Sequence, residues 1–108
     1  MSMTFVEYQV LAQRTSLDDG HDRILNGCMG LCGESGECID ILKKNRMQYH
    51  QLDKQKLVEE LGDVMWYCAE LATGLGMALD DIARANIEKL RKRYPEGFTP
   101  ERSIHREV

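Results

Sequence analysis

The chain has 108 residues, 43% of them hydrophobic, which suits one compact domain spanning residues 1–108. Its net charge of −4 argues against nucleic acid as a partner. With no run of about 18 apolar residues and no basic, apolar leader, we expect a cytoplasmic protein that makes no membrane contact. There its four cysteines remain reduced: Cys28, Cys32, Cys38 and Cys68.

Two helices are predicted in the first half of the chain. Thr4 and Glu7 have the spacing of a capping box, and a helix is expected to run from there to about Arg14, followed by a loop over 15–21. A second helix is predicted from about Asp22 to about Met47, and the polar segment 45–52 is expected to form a turn. Within that helix a glycine recurs at every third position from 27 to 36, at a cost of about 1 kcal/mol each. Close approach of another helix and space for a ligand are two compatible explanations.

Two more helices are predicted in the second half. The third begins after the N-cap Asp53 and runs to about Thr73. It is apolar around most of its circumference, so we expect most of it to be buried, which favours self-association. The fourth begins near Leu79 and ends before Pro95, and the tail 95–108 is expected to wrap over the domain or a partner subunit. The fold class is therefore all-α, a four-helix bundle-like domain that self-associates.

Two pairs of acids stand out, because each pair is spaced to share one face of a helix. Glu34 and Glu37 lie on the second helix, and Glu60 and Asp63 lie on the third. For any single pair a solvated face is the ordinary explanation, but carboxylates among apolar residues are costly unless a cation holds them. Four facing carboxylates would form a cage for Mg²⁺, or for Mn²⁺. The pattern leaves both explanations open.

Other acids and the histidines give no competing pattern. A di-iron centre is disfavoured, because no Glu or Asp precedes a histidine by three residues within the predicted helices. Asp40 and Glu70 belong to no second pair and are expected to be ordinary surface residues.

The acidic pairs, together with the segments 85–90 and 93–98, resemble the MazG-like nucleoside triphosphate pyrophosphohydrolases. This all-α family also includes dimeric dUTPases and phosphoribosyl-ATP pyrophosphohydrolases. Its pattern is Glu-Glu-x-x-Glu on one helix and Glu-x-x-Asp on the next. Glu34 and Glu37 match the second and third acids of the first part, Glu60 and Asp63 match the second part, and Gly33 replaces the first Glu.

The resemblance implies hydrolysis of a (deoxy)nucleoside triphosphate between its α and β phosphates, which would remove unwanted nucleotides from the pool. It implies Mg²⁺, with Mn²⁺ as a substitute, held by the four acids Glu34, Glu37, Glu60 and Asp63. Glu34 is our candidate for the general base. A homodimer or homotetramer is expected. A narrower enzyme, acting on dUTP or phosphoribosyl-ATP, and a non-catalytic helical module that binds a nucleotide or a protein are the alternatives.

Four residues are candidates for substrate binding. Asn86, Lys89 and Arg93 follow one another along one side of the fourth helix. The two cations are also well placed for a helix C-terminus, whereas Asn86 lies among apolar residues, where an amide needs a partner. Tyr67 lies one turn beyond Asp63 and could face the nucleoside or be a core aromatic residue.

Overall fold

The protein, described here by a computed structural model over residues 2–106, is all-α, as predicted. Its helices are α1 (Phe5–Gln13), α2 (Arg23–Gln48), α3 (Lys54–Gly74), α4 (Leu79–Arg93) and α5 (Pro100–Ile104). Residues 2–106 contain no β-strand. None of the helices in this range is long and apolar enough to span a membrane.

The helix starts are encoded by local hydrogen bonds. The Thr4 hydroxyl accepts from the Glu7 amide at 3.0 Å within a complete capping box. Asp22 and Asp53 cap α2 and α3 in the same way, each accepting a backbone amide at 3.0 Å. α4 has no such cap, and instead the Gln9 side chain of α1 accepts from the Leu79 amide at 2.8 Å. The predicted starts of α1, α2 and α3 are therefore confirmed.

The end of α2 and one additional helix differ from the prediction. α2 continues to Gln48, so the first part of the predicted turn at 45–52 is helical. Tyr49 then takes a left-handed conformation with φ 62°, and the His50 amide donates to the Lys44 carbonyl at 3.0 Å. α5 was not predicted, since five residues are too few to show periodicity. Residues 107 and 108 of the expected tail lie outside the described range.

α2 and α3 form the main helix pair, and α1 and α4 pack on α3. At Gly27 a Cβ atom would lie 2.7 Å from Cβ of Leu71, and at Gly30 it would overlap the Tyr67 ring. At Gly33 and at the next glycine of the series nothing lies within 4 Å. Close approach of another helix therefore explains the first half of the glycine series, and space for a ligand stays a prediction for the second half.

One chain leaves much apolar surface uncovered. The only buried hydrophobic residues within 2–106 are three alanines, at positions 12, 69 and 72. The radius of gyration is 17.0 Å, against about 13 Å for a compact domain of this length. α3 is not buried on most of its surface within one chain, because Val58, Leu61 and Met65 are 61%, 56% and 42% exposed. Burial of the rest of α3 would need a second copy of the chain, so the predicted self-association stays a prediction.

Candidate metal centre and adjoining pocket

Three of the predicted acids converge where α2 faces α3. Glu34, Glu60 and Asp63 each place one carboxylate oxygen so that all three lie within 4.8 Å of one another. Glu60 is buried, at 8% exposure, whereas Asp63 is exposed. Hard oxygen donors at this spacing are the ligand type that Mg²⁺ takes, so the donor set fits a divalent cation. Glu37 is exposed and does not belong to this group of three.

The charges in this group interact strongly. A hydrogen bond with Glu60, followed by burial and the neighbouring acids, raises the pKa of Glu34. The same hydrogen bond lowers the pKa of Glu60, assisted by Lys56, whose Nζ lies 3.3 Å from Glu60 Oε1. The two carboxylates therefore interact directly, and this contact shifts the pKa of Glu34 upward and the pKa of Glu60 downward. Glu37 acts here through its charge, which adds to the raised pKa of Glu34.

An open cleft lies beside the carboxylates. It has a volume of about 430 Å³ and is lined by Glu34, Asp63, Tyr67, Trp66 and Thr15. Tyr67 therefore lies at the same cleft as the acids. The substrate of a metal-assisted hydrolysis could reach the carboxylates through this opening.

The other three candidates for substrate binding lie elsewhere, on α4. Asn86 and Lys89 are exposed and do not line the cleft. The expectation that Asn86 is buried among apolar residues is wrong within one chain, since its neighbours Ile87 and Leu90 are themselves 46% and 38% exposed. Arg93 is half-buried and lines a separate basic cavity of about 710 Å³ at the end of α4.

Glu70 is the functional candidate that the sequence prediction missed. Its side chain is completely buried, not on the surface as expected. Oε1 accepts from Gln13 Nε2 at 3.2 Å and from Ser16 Oγ at 2.8 Å. Oε2 accepts from Asn26 Nδ2 and lies next to His21 Nε2, both at 2.8 Å. Arg23 Nε lies 3.5 Å from Oε1.

These contacts keep Glu70 charged. Burial alone would raise the pKa of Glu70, but the hydrogen bonds from its four donors outweigh burial and lower it to about 2. The hydrogen bonds to Glu70 and Asp19 raise the pKa of His21, whose Nδ1 lies 2.6 Å from Asp19 Oδ1. In the sequence, Glu70 lies seven residues after Asp63, which places it on the side of α3 that carries a predicted ligand, but this spacing does not indicate that its carboxylate is buried.

A second pocket, of about 470 Å³, lies over Glu70. Thr15 and Trp66 line both this pocket and the cleft, so the two spaces adjoin. Trp66 Nε1 donates to the Ala12 carbonyl at 3.0 Å and to Thr15 Oγ at 2.7 Å. The indole is therefore fixed at the boundary between them.

Comparison with known proteins gives the family of this fold. The profile of the MazG nucleotide pyrophosphohydrolase domain matches residues 24–98, which include the clustered carboxylates. The chain belongs to this family. MazG membership supports nucleotide pyrophosphohydrolase activity in general, and MazG proteins typically depend on a metal ion. The resemblance predicted from the acidic motifs is thus confirmed.

This MazG chain is also similar to two curated proteins. It is 34% identical over 100 residues to "Gene 37 protein" of Mycobacterium phage L5, covering 83% of this chain and 88% of that protein. It is 49% identical over 41 residues to "Uncharacterized protein YvdC" of Bacillus subtilis (strain 168), covering 38% and 39%. No solved structure matches the chain.

Proposed function

We propose that this chain hydrolyses (deoxy)nucleoside triphosphates between the α and β phosphates, releasing the monophosphate and pyrophosphate, and that it removes unwanted nucleotides in the cytoplasm. The observation that carries the proposal is the convergence of Glu34, Glu60 and Asp63 within 4.8 Å at an open cleft. Membership of the MazG family makes a nucleotide the natural substrate for that cleft.

The three clustered acids would hold Mg²⁺, with Mn²⁺ as a substitute, and Glu37 is proposed as a fourth ligand from the same face of α2. When bound, the ion supplies charge neutralisation for the phosphates and a water of lowered pKa. Glu34 lines the cleft, so its carboxylate can accept the proton of the attacking water as general base. Tyr67, at the same cleft, would position the nucleotide.

Asn86, Lys89 and Arg93 are proposed to bind phosphate oxygens, although they lie on α4 and not at the cleft of their own chain. The exposed apolar residues of α3 need a covering surface, which a second copy of the chain would provide. We therefore propose a homodimer or homotetramer in which α4 of one copy approaches the substrate of another. Mixing a Lys89→Ala variant with an Asp63→Asn variant should then restore part of the activity that each lacks alone.

Pyrophosphate release from a panel of nucleoside triphosphates, with and without Mg²⁺, tests the proposal. We expect release that requires the metal and is abolished by a chelator. The matched variants are Asp63→Asn, which removes a clustered carboxylate, and Glu59→Gln, which alters an exposed acid of α3 outside the cluster. Nucleotide binding without any pyrophosphate release would refute the enzyme and favour the non-catalytic module.

A further inference from the structure

The pocket over Glu70 has the size and the walls of a ligand site. Its volume of about 470 Å³ lies within the usual range for small-molecule pockets, about 300–1,000 Å³. Part of its wall is apolar, formed by Leu17, Leu25, Met29 and Trp66. It adjoins the carboxylate cleft through Thr15 and Trp66, so one molecule can occupy both spaces.

Trp66 offers this pocket a rigid aromatic surface. Its Nε1–H is bound to the Ala12 carbonyl and Thr15 Oγ. The indole also contacts the Tyr67 ring in a nearly perpendicular arrangement, with centroids 5.0 Å apart and an interplanar angle of 83°. An aromatic ring held in this way is suited to stacking on a nucleobase, since every base has a π-face.

The side-chain donors of the pocket are almost all used within the protein. The Thr15 hydroxyl donates to the Ala12 carbonyl at 2.7 Å, and the Ser16 hydroxyl donates to Glu70. Both ring nitrogens of His21 face carboxylates, those of Asp19 and Glu70. Of these side chains, only the amide of Asn26 keeps a free N–H, since its other hydrogen goes to Glu70.

Several acceptors, in contrast, remain open, although Oδ1 of Asp19 and Oδ1 of Asp22 are already used within the protein. Because the charged Glu70 carboxylate can only accept, Asn26 Nδ2 must face it, which fixes the orientation of the amide. Over the described residues, Oδ1 of Asn26 accepts no hydrogen bond, yet it is not a buried unpaired atom. It is therefore accessible at the pocket, together with the carboxylates of Asp19 and Asp22.

The charges around the pocket also determine how a nucleotide would be oriented in it. The carboxylates of Asp19 and Asp22 would repel phosphate groups. The phosphates of a bound nucleotide would therefore lie on the side of the clustered acids and their cation, which leaves the base for the pocket. Among the side chains named above, a base carbonyl would find one donor, the free N–H of Asn26, whereas an exocyclic amino group would find several acceptors, Oδ1 of Asn26 and the carboxylates of Asp19 and Asp22.

We propose that this pocket binds the base of the nucleoside triphosphate and selects a base with an exocyclic amino group, cytosine or adenine, through Oδ1 of Asn26. The inference rests on the proposed function for the identity of the ligand. Glu70 is the positioning residue, because it fixes the Asn26 amide and, through Ser16 and His21, the loop that closes the pocket.

Pairs of nucleotides that differ only in the amino group provide the test: cytidine against pyrimidin-2-one riboside triphosphate, and adenosine against purine riboside triphosphate. Hydrolysis is measured as kcat/KM. Binding of their non-hydrolysable α,β-imido analogues with Mg²⁺ is measured by quenching of Trp66, the single tryptophan of the chain. We expect the amino-bearing member of each pair to be preferred by about tenfold or more, since losing it leaves a desolvated acceptor unpaired.

Asn26→Ala should bring that ratio close to one. Gln13→Ala is the matched control, because Gln13 also donates to Glu70 but does not line the pocket. It should leave the ratio unchanged. If Asn26→Ala does not fold, the ratio of kcat/KM between the two members of each pair, measured on the wild-type protein, still tests whether the amino group is selected.

The outcomes separate this inference from the proposed function. Hydrolysis without discrimination within the pairs, or discrimination that survives Asn26→Ala, would overturn the base pocket and leave the pyrophosphohydrolase standing. Discrimination in binding without hydrolysis of any triphosphate would support the pocket and overturn the enzyme. Failure of every nucleotide to bind would overturn both.

Discussion

Replacing Glu70 by glutamine should destabilise the protein far more than the change would cost at the ordinary surface position that the sequence predicts. The carboxylate is completely buried and takes four hydrogen bonds, from Gln13, Ser16, His21 and Asn26. A glutamine amide would turn its own N–H groups toward two of these donors. Folding lowers the pKa of Glu70 from an ordinary 4.5 to about 2. At about 1.4 kcal/mol per pKa unit, the charged carboxylate therefore contributes roughly 3 kcal/mol to the free energy of unfolding.

The role of Glu70 can also be tested through the pH dependence of the stability of the protein. Because folding lowers the pKa of Glu70, its charged carboxylate stabilises the fold fully above pH 4.5, and this stabilisation is lost as the pH falls toward 2. The pKa of His21 is raised above its ordinary 6.5, so its contribution is complete below that pH and is lost as the pH rises through the raised value. Stability should therefore be greatest between about pH 4.5 and 6.5.

Urea denaturation at fixed protein concentration measures both effects. At pH 6 we expect Glu70→Gln to lower the free energy of unfolding by about 3 kcal/mol and to flatten the acid side of the pH profile. Asp40→Asn is the control, because Asp40 pairs with Lys44 at 3.1 Å on an exposed helix face and should cost less than about 0.5 kcal/mol. The reasoning fails if the two variants unfold at the same urea concentration.

The packing and the clustered acids give four further predictions. Asp63→Asn should reduce metal-dependent turnover at least about 100-fold, and Glu59→Gln should leave it unchanged; equal losses would remove the cluster from the mechanism. Gly27→Ala should destabilise the protein by about 1–3 kcal/mol in urea, because its Cβ would meet the α3 backbone. Gly33→Ala, with open space around it, should stabilise the protein by up to about 1 kcal/mol. In sedimentation, Val58→Glu should shift an oligomer toward the monomer; a wild-type protein that already sediments as a monomer contradicts the proposed assembly.

The helices were largely predictable because their boundaries are local. Thr4, Asp22 and Asp53 cap the helix that follows each of them, and such caps involve residues only three positions apart. The end of α2 was harder to predict, because Tyr49 takes the left-handed conformation that a glycine usually takes at a helix end. The short α5 has too few residues for any periodicity.

The carboxylate cluster was predictable in part. Its members come from two helices, and the spacing of acids within each helix shows which of them share a face. Which of the four acids actually meet depends on how α2 and α3 cross, which no local pattern states. The close approach at Gly27 and Gly30 determines that crossing, and it brings Glu34 to Glu60 while Glu37 stays outside the group of three.

Glu70 shows why the second pocket could not be predicted. Its donors come from α1, from the loop before α2 and from α2 itself, as far as 57 positions away in the chain. The sequence around a buried carboxylate does not differ from that around an exposed one. A buried carboxylate is stable only with hydrogen-bond donors, and these come from parts of the chain that only the fold brings close. The segment 15–21, which was predicted only as a loop, contains two of those partners, Ser16 and His21. The polar side chains of this loop therefore hydrogen-bond to the buried charge of Glu70. That charge in turn fixes the orientation of the Asn26 amide, through which the pocket is proposed to recognise its ligand.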